Sequence, residues 1–299
     1  MHRLFHPKEG KLTNQPQAIK PIIEIDDLSS KRRLRDLPYW FFALILIAIF
    51  VFYVISSNEN YNNAFVFIKA GLIITIKTTL IAFSIAILFG LLAGLGRISK
   101  SVVINNLARL YVELIRGIPI LVLIFFIALV GVPVLVDSVN GFGLWLDSKG
   151  VGFLGSIFTA LNNQNISMNS RAIIALAVTY GAYLAEIFRA GIQSISKGQM
   201  EAARSLGMSY GQAMRYVILP QAVRNVLPAL GNDFVAMVKD SSLVSVLAVR
   251  DITQVARLYA GTTFRFREAY VTLAVMYLTM TVILSLLVQL LERRLRSHD

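Results

Sequence analysis

The chain alternates long apolar runs with shorter polar stretches. A helix that crosses a bilayer needs about 20 mostly apolar residues. Six stretches come near that length: Pro38–Ile55, Gly71–Leu95, Ile118–Val136, Ala172–Ile192, Pro228–Val249 and Tyr270–Leu290. They predict an all-α, polytopic membrane helix bundle. The fifth is the most polar, because it holds Asp233, Lys239 and Asp240, while Lys77 in the second lies close enough to the end to snorkel to the interface. Gly90 and Gly94 have GxxxG spacing, and Gly181, Ala182 and Ala185 line one side of the fourth run. Small residues at such positions let helix backbones approach in lipid. No internal repeat is visible, which counts against the repeat-built secondary transporters.

Composition agrees with a membrane protein. Of 299 residues, 56% are hydrophobic and 15% charged, against about a quarter charged in soluble domains. The net charge of +12 does not gather on one face, so it does not point to nucleic acid; it sits in tails and loops, where topology signals lie. Cysteine is absent and the three histidines, His2, His6 and His298, are all in the tails. That leaves no thiol nucleophile, no metal site and no histidine base within the spans. Residues 1–36 lack apolar periodicity and predict a disordered tail, followed by an N-terminal span over 37–57 and a main membrane domain over 66–296.

Basic residues set the orientation. Lys31, Arg32, Arg33 and Arg35 place the N-terminal tail inside, as do Arg97, Lys100 and Arg109 for the second loop, and Arg293, Arg294 and Arg296 for the C-terminus. The loops Ser56–Ala70 and Val130–Arg171 are poor in bases and read as outside. Within the latter, Gly141–Met168 reads as a loop, free or in contact with a partner. Arg250, Arg257, Arg265 and Arg267 break the scheme. Either they lie on a structured helix with paired charges, or the fifth span is misplaced.

The polar stretch Ser194–Pro228 is placed inside by Lys197, Arg204, Arg215 and Arg224. Gln199–Leu206 is good helix-forming sequence, and Gly207 suits the C′ position after it. Ser209 and Gln212 have capping-box spacing for a second helix to about Val217. Pro220 suits the first turn of a further element. Ala202, Ala203, Leu206, Met208 and Tyr210 would form a small apolar knob. Such a knob serves either another protein or the chain's own packing.

Glu201-Ala202-Ala203, then Gly207, then Leu219-Pro220 resemble the EAA loop of ABC importer permeases, with Val217 where Ile is usual. The stretch GAYLAEIFRAGIQSISKGQMEAARSLGMS is similar to the polar amino acid branch of that family, as are YVELIRGIPILVLIFF (Tyr111–Phe126) and KDSSLVSVL (Lys239–Leu247). The likeness runs from about Gly71 to Arg294. It implies a five-helix importer core, to which the first span is an addition. It implies that Gln199, Glu201, Ala202, Ala203, Leu206 and Gly207 form a coupling helix docking on separate ABC ATPase subunits. ATP and Mg would be held there, since this chain has no G-x-x-x-x-G-K-[ST] loop and binds no cofactor of its own. It further implies an extracytoplasmic amino acid-binding protein, a second permease subunit, identical or related, and a prokaryotic inner membrane with its lipid.

Charges inside the spans are the remaining candidates. Each costs ~2.5–3.5 kcal/mol at mid-bilayer on insertion scales. Lys239 could meet a substrate carboxylate and Asp240 an ammonium, with Ser241 and Ser242 adding hydroxyls and Tyr183 lining the path. Adjacent helical residues point about 100° apart, so both charges meet one site only where the helix unwinds; pairing with another helix is the alternative. Glu186 and Arg189, like Glu113 and Arg116, have i,i+3 spacing and read as structural ion pairs or a gate. An ion-driven carrier or channel, and a membrane-embedded enzyme using Ser241 and Lys239, are the competing functions.

Overall fold

The computed structural model describes residues 39–160 and 162–296. The expected tail over 1–36 lies outside them. Among the described residues every regular element is helical. Helix α1 (Tyr39–Ser57) forms where the first span is expected. Then follow α2 (Glu59–Ile68), a 3₁₀ turn (Lys69–Gly71) and α3 (Leu72–Ile98). Helix α4 (Val102–Arg116) leads to α5 (Ile120–Phe126), a π turn (Ile127–Gly131) and α6 (Val132–Ser148). After α7 (Gly152–Thr159) comes α8 (Met168–Gln193). The loop supplies α9 (Lys197–Ser205) and α10 (Tyr210–Ala213). A second π turn (Met214–Ile218) runs into α11 (Leu219–Asp240), a 3₁₀ helix (Ser241–Leu247), α12 (Ile252–Thr263) and α13 (Phe266–Arg296).

Four helical runs among the described residues are long and apolar enough to cross a membrane: Glu59–Ile98, Ile120–Ser148, Met168–Gln193 and Phe266–Arg294. They match the second, third, fourth and sixth expected spans. The fifth differs. Its helix starts earlier, at Leu219, and ends at Asp240, so it carries Arg224 as well as Asp233, Lys239 and Asp240 and is too polar to join the four. It nevertheless packs against α3, α8 and α13 within the bundle. The misfit arginines are also explained in part: Arg257 lies on the separate helix α12 and donates to the Ser245 carbonyl at 3.5 Å, and Arg267 pairs with Glu268 at 3.5 Å.

Helix α8 is the axis of the bundle: 67% of its apolar window is buried, against 22–28% for the other three runs. Its most extensive partner is α3. A Cβ placed on Gly90 would lie 2.6 Å from the Leu184 Cβ, and one on Gly94 would lie 2.9 Å from the Phe188 Cβ. The GxxxG notch therefore receives α8, as its spacing predicts. Around this pair Leu123, Ile124, Leu176, Leu184 and Met237 form the main core; Ile68, Ile252, Ala256 and Tyr259 form a second one among α2, α12 and α13.

The expected outer loop is not a loop. Residues of Val130–Arg171 form a helical hairpin, α6 against α7, turning at Gly150 with φ +83°. Gly150 donates to the Asp147 carbonyl and Val151 to the Leu146 carbonyl, the double bond pattern of a Schellman turn. Gly143 and Gly155 bring the two helices into backbone contact. The abundance of glycine there serves close packing rather than looseness.

Candidate functional site

The polar stretch builds its geometry from short-range rules. The Ser196 hydroxyl accepts from the Gly198 N–H at 3.3 Å and starts α9. At the other end Gly207 takes φ +84°; its N–H donates to the Arg204 carbonyl at 3.0 Å and that of Met208 to the Ala203 carbonyl at 3.2 Å. Only a residue without a Cβ adopts that φ without strain. The Ser209–Gln212 box then closes reciprocally, with bonds of 3.3 and 2.9 Å, and starts α10. The second helix does not stop at Val217. It passes through the π turn directly into α11, so Pro220 lies inside one continuous helix rather than opening a new one.

Of the expected knob, Ala203 turns inward and is buried, as is Ala213 beyond it, whereas Leu206 and Tyr210 are 83% and 59% exposed. Gln199, Glu201, Ala202 and Gly207 are also at the surface or partly so. Asn225 of α11 donates to the Ser194 hydroxyl at 2.9 Å and anchors the stretch to the bundle. The result is a short rigid helix presenting an exposed leucine and glutamate.

At the same end of α8 the charges form a cluster. Glu186 accepts from Arg189 through two guanidinium nitrogens and from Arg97 at 2.5 Å. Arg97 also reaches Glu113, at 3.9 Å. The expected Glu113–Arg116 pair is not formed: Arg116 instead lies over the Tyr183 ring, 5.6 Å from its centroid. A guanidinium over an aromatic face is a favourable alternative to an exposed carboxylate. Nearby, the Tyr111 hydroxyl donates to the Val178 carbonyl at 2.6 Å, and burial pushes its phenol up to about 12.

Farther along α8, Tyr180 donates to Asp240 at 2.7 Å, and its ring lies 5.9 Å from that of Tyr183. Lys239 is exposed and turned away from this pair, as the 100° helical step requires. The helix changes to 3₁₀ geometry at Ser241. The Ser241 hydroxyl donates to the Val238 carbonyl at 2.7 Å and is buried, so it is occupied locally; Ser242 is half-buried. The structure thus joins Asp240 to Tyr180, whose ring lies beside that of Tyr183, but does not bring Lys239 to the same point.

Several site-shaping residues were not singled out by the sequence. Arg97 reads there only as a topology cation, yet it links α3, α4 and α8. Asp251 caps α12, accepting from the Gln254 N–H at 2.8 Å, while Ile252 donates to the Thr75 hydroxyl at 3.1 Å. Burial raises the Asp251 carboxyl, opposed by the bonds from Gln254 and Thr253. The Asp-x-x-Gln spacing is a capping signal that would have found it. Arg171 is buried and donates to three main-chain carbonyls, of Ile166, Ala128 and Asn163. No spacing rule reveals that.

Residues 86–297 match the family described as binding-protein-dependent transport system inner membrane component. The probable amino-acid permease protein YxeN of Bacillus subtilis is 36% identical, over 77% of this chain and 92% of its own length. The glutamine transport system permease protein GlnP of Escherichia coli is 33% identical, over 76% and 91%. A solved amino acid ABC transporter with histidines is 40% identical, covers 78% of this chain and 95% of its own, and superposes with a TM-score of 0.62. The inward-facing MetNI methionine ABC transporter, at 18% identity and TM-score 0.55, shares the fold. With its α3–α8 spine, its capped loop helix and a match over most of its length, this chain belongs to the inner membrane components of binding-protein-dependent transport systems.

Proposed function

We propose that this chain is the membrane-spanning permease subunit of an ATP-driven importer for polar amino acids, coupled to separate ATPase subunits through Gln199–Gly207. The observation that carries the reading is α9 itself. It is capped at both ends, anchored at Ser194, and presents Leu206 and Glu201 outward. A rigid helix of this kind transmits a rigid-body displacement that a loose loop would dissipate. The amino acid class is supported by relatives named for glutamine and arginine transport. The substrate reaches the pathway from an extracytoplasmic binding protein, between this chain and a second permease subunit, identical or related. Both termini and α9 face the cytoplasm, a placement supported by the basic residues of the tails and loop. Asp240, held by Tyr180 and followed by Ser242, is the anionic group best placed for an α-ammonium. Lys239 faces away from that point, so the carboxylate is met by groups other than Lys239. The Glu186–Arg189–Arg97 cluster closes the inner end. Family membership leaves the ion-driven, channel and membrane-enzyme alternatives without support.

The test is made on the assembled complex. A nucleotide-binding subunit co-purifies with the wild-type chain, and Glu201→Lys lowers amino acid uptake at least tenfold, about 1.4 kcal/mol of lost coupling, while the chain still inserts in the membrane. Normal uptake by the Glu201→Lys variant removes α9 from the coupling path.

A further inference from the structure

Helix α11 packs on both α3 and α13, but α3 and α13 barely touch each other. The wedge left between them is a crevice of about 330 Å³, floored by Phe234 and Val238 of α11. Its two hydroxyls are spent: Thr75 donates to the Gly71 carbonyl at 3.2 Å and Thr79 to the Thr75 carbonyl at 2.8 Å. The other lining side chains are apolar. A space lined this way offers water no partner, and such spaces stay dry or take an apolar guest. The mouth is formed by Leu80 and Ile283, each about half exposed. Both helices at the mouth belong to runs long and apolar enough to cross the bilayer.

One cation stands beside this mouth. Lys77 is exposed and precedes Leu80 by three residues, which makes them neighbours on the helix surface. Lys77 lies six residues from Gly71, where the expected second span begins, so its flexible stem can carry the ammonium toward the membrane–water interface. Lys77 stands level with the wedge, between Ile76 and Leu80, and its stem reaching toward Gly71 sets the ammonium beyond the apolar lining, as a phosphate stands beyond an acyl chain.

We propose that this crevice is a binding site for one membrane phospholipid, its acyl chain lying on Phe234 and Val238 between α3 and α13 and its phosphate meeting Lys77. The bound chain fills the wedge and lets α3 and α13 act as one wall. A lipid held there would accompany the protein out of the membrane, and its loss would loosen the contact of α11 with both neighbours. The proposal requires only that the chain spans a bilayer and stands apart from the transported substrate.

The experiment uses the full chain in its complex, in vesicles containing phosphatidylethanolamine with a photoactivatable diazirine in one acyl chain. Labelled peptides are mapped after irradiation. Adducts are expected to be enriched severalfold on the segments holding Thr79, Val238 and Ile283 relative to Leu88 and Leu92, which face outward on α3. Leu80→Trp, which plugs the mouth from an exposed position, abolishes the enrichment. Lys77→Gln weakens it for the phospholipid but not for a diazirine-bearing fatty alcohol, which has no phosphate. Labelling spread evenly over all exposed apolar faces overturns the proposal. So does cross-linking of these segments to a second permease subunit, which would show that protein occupies the wedge. The wild-type map alone decides the matter if a variant fails to insert.

Discussion

At the scale of single residues, the most informative side chain is Asp251, which follows the first of the arginines that break the topology scheme. In the structure it is nearly fully buried, caps α12 through Gln254, and stands 3.5 Å from the Tyr277 hydroxyl, which donates to it. Removing an N-cap costs about 0.5–2 kcal/mol. The longer bond from the Tyr277 hydroxyl is lost as well, although Thr253 stays 2.9 Å from that hydroxyl. Asp251→Ala is therefore expected to lower the thermal stability of the detergent-solubilised complex and to speed amide exchange in the first turn of α12. Asp251→Asn keeps the acceptor oxygen and avoids burying a charge, so it should retain most of the stability. Equal damage from both variants would show that the charge, rather than the cap, matters. Residues whose role depends on sequence neighbours were legible beforehand: Gly207 and the Ser209–Gln212 box follow local rules. Residues whose partners are far away were not. Tyr180 meets Asp240 across sixty positions, and the Arg97–Glu186 pair spans eighty-nine.

At the scale of elements, the two π turns share one design. Ile127–Gly131 is followed by Val132-Pro133, and Met214–Ile218 by Leu219-Pro220. In each case the residue before the proline donates to the first carbonyl of the turn, Val132 to Ile127 and Leu219 to Met214. Proline cannot donate and its ring crowds the carbonyl one turn back, so a wider turn relieves the clash without breaking the helix. The carbonyl that the proline fails to serve in the first turn is that of Ala128, and Arg171 donates to it at 3.3 Å. After the second turn the Gln221 side chain donates back to the Val217 carbonyl at 2.9 Å. Apolar runs show where spans lie, but they do not reveal that a proline will be absorbed rather than end the helix, which is why the second loop helix was expected to stop. The start of that helix is testable. Ser209→Ala removes the bond to the Gln212 N–H and, at about 1 kcal/mol for a cap, should raise amide exchange across Tyr210–Ala213 about fivefold. Hydrogen exchange with peptide-level readout measures this. Unchanged exchange would mean that the continuous helix through the π turn, not the box, holds α10.

At the scale of the whole molecule, the described bundle has two large cores, with a small third cluster of Val112, Ala182 and Ala185, rather than one. The first surrounds the α3–α8 spine, and the second joins α2, α12 and α13. They meet at the start of α3. A Cβ on Gly71 would lie 2.6 Å from the Asp251 carbonyl carbon and the Ile252 nitrogen, and the Thr75 hydroxyl accepts from the Ile252 N–H at 3.1 Å. Backbone atoms cannot swing aside as a flexible side chain can. Gly71→Val must therefore push α12 away from α3, at about 1–3 kcal/mol for overpacking. Thr75→Val strands a buried N–H, at about 1–3 kcal/mol by a different route. The damage should fall on the second core first, because the spine is held independently by Gly90 and Gly94. The chain has no cysteine, so single probes report each core cleanly. Ala260→Cys marks the second and Ala175→Cys the first, both at fully buried positions. In either junction variant, thiol labelling during a temperature ramp should expose position 260 well before position 175, whereas the two should open close together with the junction intact. If both positions open together in the junction variants as well, the cores unfold as one unit, and the seam at Gly71 is only one contact among many.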